Sequence, residues 1–435
     1  MSSETVPLKK TGVPVRGLVA EVIAGPSTGL HVTSDSSIAI GSAEGNDLRL
    51  EDRTVSRFHA EVARRGELIL VSDRGSTNGT RIGSVLIESA ACSVTPGSVL
   101  NLGSSQVRLG DGALVMVEPG PHELSGMVGR SSVMRRLFAT VERVAPSEVP
   151  VLILGESGTG KELIGRALHE RSPRAEGPLV TVDCGALSPS LFASELFGHE
   201  RGAFTGAHRR HLGAFERAAG GTVFLDEVAE LPPELQSALL GVLERKQLRR
   251  VGGSDDIRID VRVISATSRD LRPQVNRDGF RLDLFYRLAG VVLSVPPLRE
   301  RPEDIPPLVE HLVRDAGFAG DVTSLVDLEQ FRRHSWPGNV RELRNSLLGA
   351  LALGQAPDFT PAPSIGTDTE STLRAWLDAL PLSYREARDI VTDTFERRYL
   401  ERLLDATSGN VREAARRGSI NRSYLMELLR KHGKR

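Results

Sequence analysis

Gly155-Glu156-Ser157-Gly158-Thr159-Gly160-Lys161-Glu162 follows the apolar run Val149 to Leu154 and precedes a helical stretch expected from Leu163. A buried strand, a glycine-rich turn and a helix start, in that order, make a phosphate cradle. The glycines allow amides to face an anion, and the lysine neutralises the β- and γ-phosphates of a nucleotide. Glu162 stands where serine or threonine ordinarily holds Mg2+, so other residues must complete the metal shell.

Working outward, Gly220-Gly221-Thr222-Val223-Phe224-Leu225-Asp226-Glu227 is a second buried strand, and it ends in two carboxylates. Asp226 is placed to hold the metal and Glu227 to polarise an attacking water. An exposed acidic turn is the bland alternative, but the lysine-bearing loop upstream argues against it. The pair of motifs predicts ATP hydrolysis. The run Val261 to Ala266 ends at Thr267-Ser268-Arg269, placed to sense the γ-phosphate. Arg281 and Arg287, six residues apart, are candidates for reaching a neighbouring subunit's γ-phosphate.

These motifs occupy the middle of a longer arrangement. A chain of 435 residues exceeds one compact core. From about Leu18 to Val117, short β runs (Gly17 to Ile23, His31 to Ile40, Ala60 to Val62, Leu68 to Val71, Val99 to Leu102, Val107 to Leu109) are punctuated by turns, which predicts an all-β sandwich. From about Met127 to Gly354, strands at 149–154, 179–182, 222–225 and 261–266 alternate with helical stretches, the pattern of a parallel α/β sheet. Ala356 to Thr372 is a linker rich in proline and small residues. The last fifty residues read as all-α. The expected boundaries are 1–122, 123–355, a linker at 356–384, and 385–435.

Charge excludes little globally: 55 basic residues balance 56 acidic ones, for a net charge of −1. Any nucleic-acid contact must therefore be local. Ser408 to Arg435 supplies such a patch, with eight Lys or Arg against two acidic side chains. Cys92 and Cys184 fit no metal-ligand spacing, and neither a signal peptide nor an 18-residue apolar span is present, so a reduced cytoplasmic protein without membrane contact is expected.

From about Leu124 to Gly354 the chain resembles the AAA+ ATPases that activate sigma-54 RNA polymerase, the bacterial enhancer-binding proteins. The most specific mark is Gly202-Ala203-Phe204-Thr205-Gly206-Ala207, which matches the family's sigma-contacting surface loop. Glycines serve as hinges and Phe204 as an exposed anchor. Glu162 also fits the family's own loop. Pro296-Pro297-Leu298-Arg299-Glu300-Arg301 and Trp336-Pro337-Gly338-Asn339-Val340-Arg341-Glu342-Leu343 fit its helical lid, which implies that Arg341 contacts nucleotide. The resemblance also implies that Arg281 and Arg287 act in trans within a homo-oligomeric, typically hexameric, ring. Two positions depart from the common pattern: Asp183 and Ser268 each stand where asparagine is usual.

The C-terminal end resembles a Fis-type helix-turn-helix. Gly409-Asn410 caps a helix through Arg417, Gly418 to Asn421 forms the turn, and a second helix runs from Arg422 to about Lys431. Arg422, Ser423 and Tyr424 open that second helix, where upstream enhancer DNA would be met. Ala414 and Ala415 are expected against Leu425 and Leu428. Phe395 to Leu404 is an amphipathic helix suited to pairing subunits.

The N-terminal region resembles a forkhead-associated (FHA) domain on Asn46-Asp47, Ser56-Arg57-Phe58-His59, Ser76-Thr77-Asn78-Gly79-Thr80 and Gly103. That resemblance implies phosphothreonine binding by Ser56, Arg57, Thr77 and Asn78, and hence a phosphothreonine-bearing protein or kinase as partner. Gly41-Ser42 departs from the family's Gly-Arg, leaving Arg53 as a candidate replacement cation. The expected function is an ATP-dependent activator that remodels the closed complex of sigma-54 RNA polymerase holoenzyme. A general AAA+ remodeller and a phosphopeptide adaptor with a silent ATPase are the alternatives.

Overall fold

The computed structural model describes residues 13–65, 67–117, 120–185, 189–318, 326–353 and 356, scattered positions between 392 and 415, and 422–432. The chain divides into two compact units, residues 1–357 and 358–435.

The first unit opens with two sheets around one core. Six strands run in the order β2 (His31–Ser34), β1 (Val13–Ala24), β11 (Ser105–Val117), β10 (Val99–Leu102), β7 (Thr80–Ile82), β8 (Val85–Ile87). Five run in the order β4 (Leu48–Arg49), β3 (Ser37–Gly41), β5 (Ala60–Arg65), β6 (Leu68–Asp73), β9 (Ala91–Val94). Alternation does the sorting: Ile38 and Ile40, Ala60 and Val62, Ile69 and Val71 turn inward with Leu18, Ala20, Leu100, Leu102 and Val107. The run expected as one strand, His31 to Ile40, is two. It breaks at Asp35-Ser36, where Ser36 N–H donates to Ser34 Oγ, and the halves join different sheets.

After a short hairpin, β12 (Glu123–Leu124) and β13 (Met127–Val128), a five-stranded parallel sheet forms. Its order is β15 (Leu179–Asp183), β16 (Thr222–Asp226), β19 (Arg262–Thr267), β14 (Val151–Leu154), β20 (Val291–Ser294). A second hairpin, β17 (Gln247–Leu248) and β18 (Ile257–Arg258), stands outside it. The central strands β16, β19 and β14 are covered on both faces, which is why they are buried almost end to end and largely apolar. Within β16, Val223 and Leu225 face one cluster and Phe224 the other. The lid helices Ile305–Asp315, Leu328–Arg333 and Asn339–Leu353 follow.

In the second unit, Leu400, Leu403, Ala414, Ala415, Leu425 and Leu429 form a buried cluster with Leu428 against it. The helix Arg422–Lys431 lies where the sequence places it. The expected cap at Gly409-Asn410 and the turn at 418–421 lie outside the described residues, as does Phe395.

Candidate functional site

The phosphate loop joins the C-terminal end of β14 to the helix Lys161–Glu170. That helix begins two residues before the expected Leu163, because Gly160 at φ 104° caps it in the left-handed region. Gly158 is required twice over: its φ is 79°, and a Cβ there would meet the Gly338 carbonyl oxygen at 2.3 Å. The lysine is ordered by its own loop, with Nζ donating to Gly155 O (2.9 Å) and Glu156 O (3.4 Å). Glu162 is exposed. Thr159 is buried and donates its hydroxyl to Glu156 O.

β16 lies two strands from β14, with β19 between, and delivers the two carboxylates. Glu227 leaves the strand at φ 50° and points back at Lys161, Oε1 to Nζ 3.3 Å. Its other oxygen accepts from the Ser268 amide (2.9 Å) and hydroxyl (2.8 Å). Burial works to raise the Glu227 carboxyl, but the Ser268 hydrogen bonds and Lys161 overcome it and hold the group below its ordinary value. Asp226 goes the other way. Burial, reinforced by Glu227, lifts its carboxyl above the ordinary range despite the hydrogen bond that it accepts from Glu227 N–H. Two adjacent carboxylates thus sit at the same sheet end in opposite electrostatic conditions. Asp183 ends β15 in register with Asp226 and accepts from Gly185 N–H, so the partner of Glu227 here is Ser268 rather than Asp183.

The lid closes on the loop mostly through groups to which the sequence pattern assigns no role. Arg299 makes a two-pronged pair with Glu156, at 2.6 and 2.8 Å. Asn339, fully buried at φ 53°, accepts from Leu298 N–H and donates to Glu156 Oε2 and Ser157 O. Buried Arg301 donates to Thr159 O, and burial pulls its guanidinium down to about 10. Arg341 Nη1 donates to Ser157 Oγ at 2.9 Å, which sets this lid arginine on the phosphate loop. An asparagine in a Pro-Gly-Asn turn is the one signal that points to Asn339.

Arg281 and Arg287 lie elsewhere. Arg281 precedes the helix Leu282–Leu288, pairs with Asp283 and donates to Ser237 Oγ; Arg287 donates to Leu243 O. The loop Gly202–Ala207 projects between the helices Pro189–Phe197 and Ala214–Arg217. It closes on itself through Gly202 N–H to Ala207 O, with Gly202 and Gly206 at φ 84° and 103°. Phe204 is 39% exposed and rests edge-on against His199. Arg250 braces the loop base on Glu200 and Glu216.

On the sandwich, Ser56 and Thr77 come together: their hydroxyls lie 3.3 Å apart, and Thr77 N–H donates to Ser56 Oγ at 2.9 Å. Asn78 donates to Thr54 O, Ser42 to Val55 O, and Arg53 is exposed. Arg57 does not join Ser56 and Thr77. It reaches the ATPase instead, donating to Asn276 O and Asp278 Oδ1. At the far end of the chain, Arg422, Ser423 and Tyr424 begin the last helix.

A phosphate loop on the second strand from the edge of a parallel sheet, a strand-end carboxylate pair and a docked helical lid define a P-loop ATPase of the AAA+ type. Residues 127–294 match the sigma-54 interaction domain family and 299–362 the AAA+ ATPase lid domain. Residues 21–112 match the family described as inner membrane component of T3SS, cytoplasmic domain. The chain is 43% identical over 333 residues to the transcriptional regulatory protein GlrR of Escherichia coli K12, covering 74% of this chain and 72% of that one. It is 40% identical over 338 residues to the DNA-binding transcriptional regulator NtrC of Rhizobium meliloti, covering 71% and 69%. The crystal structure of NtrX from Brucella abortus in complex with ATP aligns at 38% identity and TM-score 0.50, covering 71% and 69%. The chain belongs to the family of sigma-54-dependent transcriptional regulators, and it is an ATPase. Among the described residues no helix is long and apolar enough to cross a membrane.

Proposed function

We propose that this protein binds upstream DNA through its C-terminal helices and couples ATP hydrolysis in a ring to opening of promoters held closed by sigma-54 RNA polymerase. The observation that carries it is the loop Gly202–Ala207. It is a glycine-hinged projection with Phe204 at its exposed end, built into the same domain as the phosphate loop and the strand-end carboxylates. An apolar anchor on a hinged loop suits a contact made and released during a cycle.

In the hydrolytic step, Lys161 and the loop amides hold the β- and γ-phosphates while Glu227, oriented by Ser268, takes the water proton. Asp226 fits Mg2+: it is a half-buried strand-end carboxylate, raised chiefly by burial, that makes no direct ion pair among the described residues. When bound, the metal would offset charge developing on the phosphate oxygens. Arg281 and Arg287 make their contacts away from their own phosphate loop, which favours service to a neighbouring subunit and hence a ring, hexameric in this reading. The sandwich is read as an FHA domain for a phosphothreonine-bearing protein or kinase, with Ser56, Arg57, Thr77 and Asn78 as contacts. Arg422, Ser423 and Tyr424 are read as DNA contacts, and the cytoplasm as the place of action.

The test is open-complex formation on a sigma-54 promoter with ATP, comparing wild type with Thr205→Ala. Loss of opening with hydrolysis retained is expected. A wild-type protein that hydrolyses ATP yet opens no such promoter, with or without the sandwich, would overturn the activator reading in favour of a general remodeller.

A further inference from the structure

We propose that residues Asn276–Asp278 of the ATPase are an internal ligand of the sandwich's recognition loops, and that a phosphothreonine peptide binds by displacing them. The inference rests on the phosphothreonine reading of those loops. Arg57 Nη2 donates to Asn276 O at 3.2 Å and to Asp278 Oδ1 at 2.7 Å. The Asp278 carboxylate thereby gives the guanidinium the anionic oxygen that a phosphate would give it. Ser56, the residue before Arg57, already has its hydroxyl gathered with that of Thr77. Two of the four groups assigned to phosphate are therefore together, and Arg57, the one full cation among the four, is engaged by the protein's own acid.

The attachment is a built interface. Asn276 grips the sandwich backbone on both sides of one residue: Phe58 N–H donates to Oδ1 (3.1 Å), and Nδ2 donates to Phe58 O (2.6 Å) and Arg74 O (3.0 Å). Phe58 is 3% exposed and belongs to the ATPase's core cluster, its ring edge-on to Phe285 at 5.0 Å. Behind it, Glu61 pairs with Arg272 and Arg74, and both arginines pair with Asp270. Tyr286 donates its hydroxyl to Glu44 O beside Gly45.

Anchor and stand-in differ in strength. Asn276 and Phe58 are packed, whereas the Asp278 side chain is 81% exposed on a residue at φ 56°. A weak anionic contact next to a firm anchor is what a stronger dianion can exchange with. Asn276 ends the helix Leu271–Asn276, and the next helix, Leu282–Leu288, which carries Arg287 and follows directly on Arg281, meets the sandwich separately through Phe285 and Tyr286. Peptide binding and the attachment of Asn276–Asp278 to the recognition loops are thus mutually exclusive and, by linkage, weaken each other equally.

The experiment titrates the full-length chain with a fluorescent pool of nine-residue peptides bearing one central phosphothreonine, beside the same pool with threonine. Wild type is compared with Asp278→Ala, which removes the exposed carboxylate, and with Asn276→Ala, the thermal midpoint of each variant confirming that it is folded. Removing a competitor raises apparent affinity by the fraction of binding-competent molecules released. Asp278→Ala should bind the phosphorylated pool about two- to fivefold more tightly, and Asn276→Ala on the order of tenfold. Equal affinity in wild type and both variants, with the threonine pool inert, overturns the displacement while leaving the phosphothreonine reading standing. No preference for the phosphorylated pool in any of the three overturns both.

Discussion

Lys161 Nζ lies 3.3 Å from Glu227 Oε1, so the phosphate lysine and the second strand-end carboxylate neutralise each other across the nucleotide site. An arriving γ-phosphate competes with Glu227 for that lysine. In the proposed cycle, nucleotide binding would thereby free the carboxylate to meet the attacking water, with Ser268 keeping it aimed.

Glu227→Gln keeps the acceptor for Ser268 and removes the base. Hydrolysis should fall by about 10²- to 10⁴-fold with ATP affinity equal to or above that of wild type. Single-turnover hydrolysis beside nucleotide binding checks this, and a loss of less than tenfold would remove Glu227 from the proton-transfer role.

Asp226→Asn should stabilise the nucleotide-free ATPase while abolishing hydrolysis. The folded-state carboxyl is raised, chiefly by burial. Such a group contributes fully below the unfolded value near 3.9 and loses that contribution as pH rises through the folded value, so at neutral pH its ionised form is a cost. The urea midpoint at pH 7.5 should rise in the variant; a lower midpoint would contradict the assignment.

Asn339 and Arg299 both fasten the lid to Glu156, but unequally. Asn339→Ala removes three hydrogen bonds of a buried side chain and puts alanine at φ 53°, which should cost about 2–4 kcal/mol. Arg299→Ala breaks a pair whose side chains are 43% and 41% exposed and should cost about 1 kcal/mol or less. Denaturant unfolding of the two variants, with ATP binding measured in parallel, ranks them; a loss for Arg299→Ala equal to or above that for Asn339→Ala would contradict this ranking.

Arg272→Ala leaves Glu61 and Asp270 sharing only Arg74 across the sandwich–ATPase boundary, and should weaken it by about 3 kcal/mol. Burial works to raise both carboxyls, but Arg272 and Arg74 hold both below their ordinary values. Their contribution is present above the unfolded values near 4 and lost as pH falls through the lower folded ones. Hydrogen exchange of the amides from Phe58 to Val62 should stay protected from pH 8 to 5 and lose protection below about pH 4. Protection unaffected by Arg272→Ala at pH 7 would sink the ion-network account.

Motifs whose chemistry is carried by backbone shape are legible in the residues themselves. Gly158 and Gly160 do sit at positive φ, β16 is fully buried up to Asp226, and Phe204 is exposed between glycine hinges. Shorter elements leave a fainter trace. β4, β7, β8 and β9 have two to four residues each, too few for alternation to stand out, and the edge strand β20 offers only the brief apolar run Val291 to Leu293. Residues whose motif fits the lid but whose role depends on a distant partner are equally hard to single out. Asn339 and Arg299 matter because they touch Glu156 across more than 140 positions, a distance no window of sequence spans.

Sequence alone therefore determined the elements and the local chemistry: a phosphate loop, a strand-end acid pair, a hinged aromatic loop and a β-sandwich. These depend on periodicity and on glycine's freedom, which act within a few residues. Only the tertiary structure decided which groups meet. It set Lys161 against Glu227, Ser268 rather than Asp183 beside that carboxylate, and Arg57 of the sandwich on Asp278 of the ATPase. Such pairings follow from how strands order within a sheet and where one packed surface rests on another. They are settled by summed burial over the whole unit, and no single stretch of chain contains that sum.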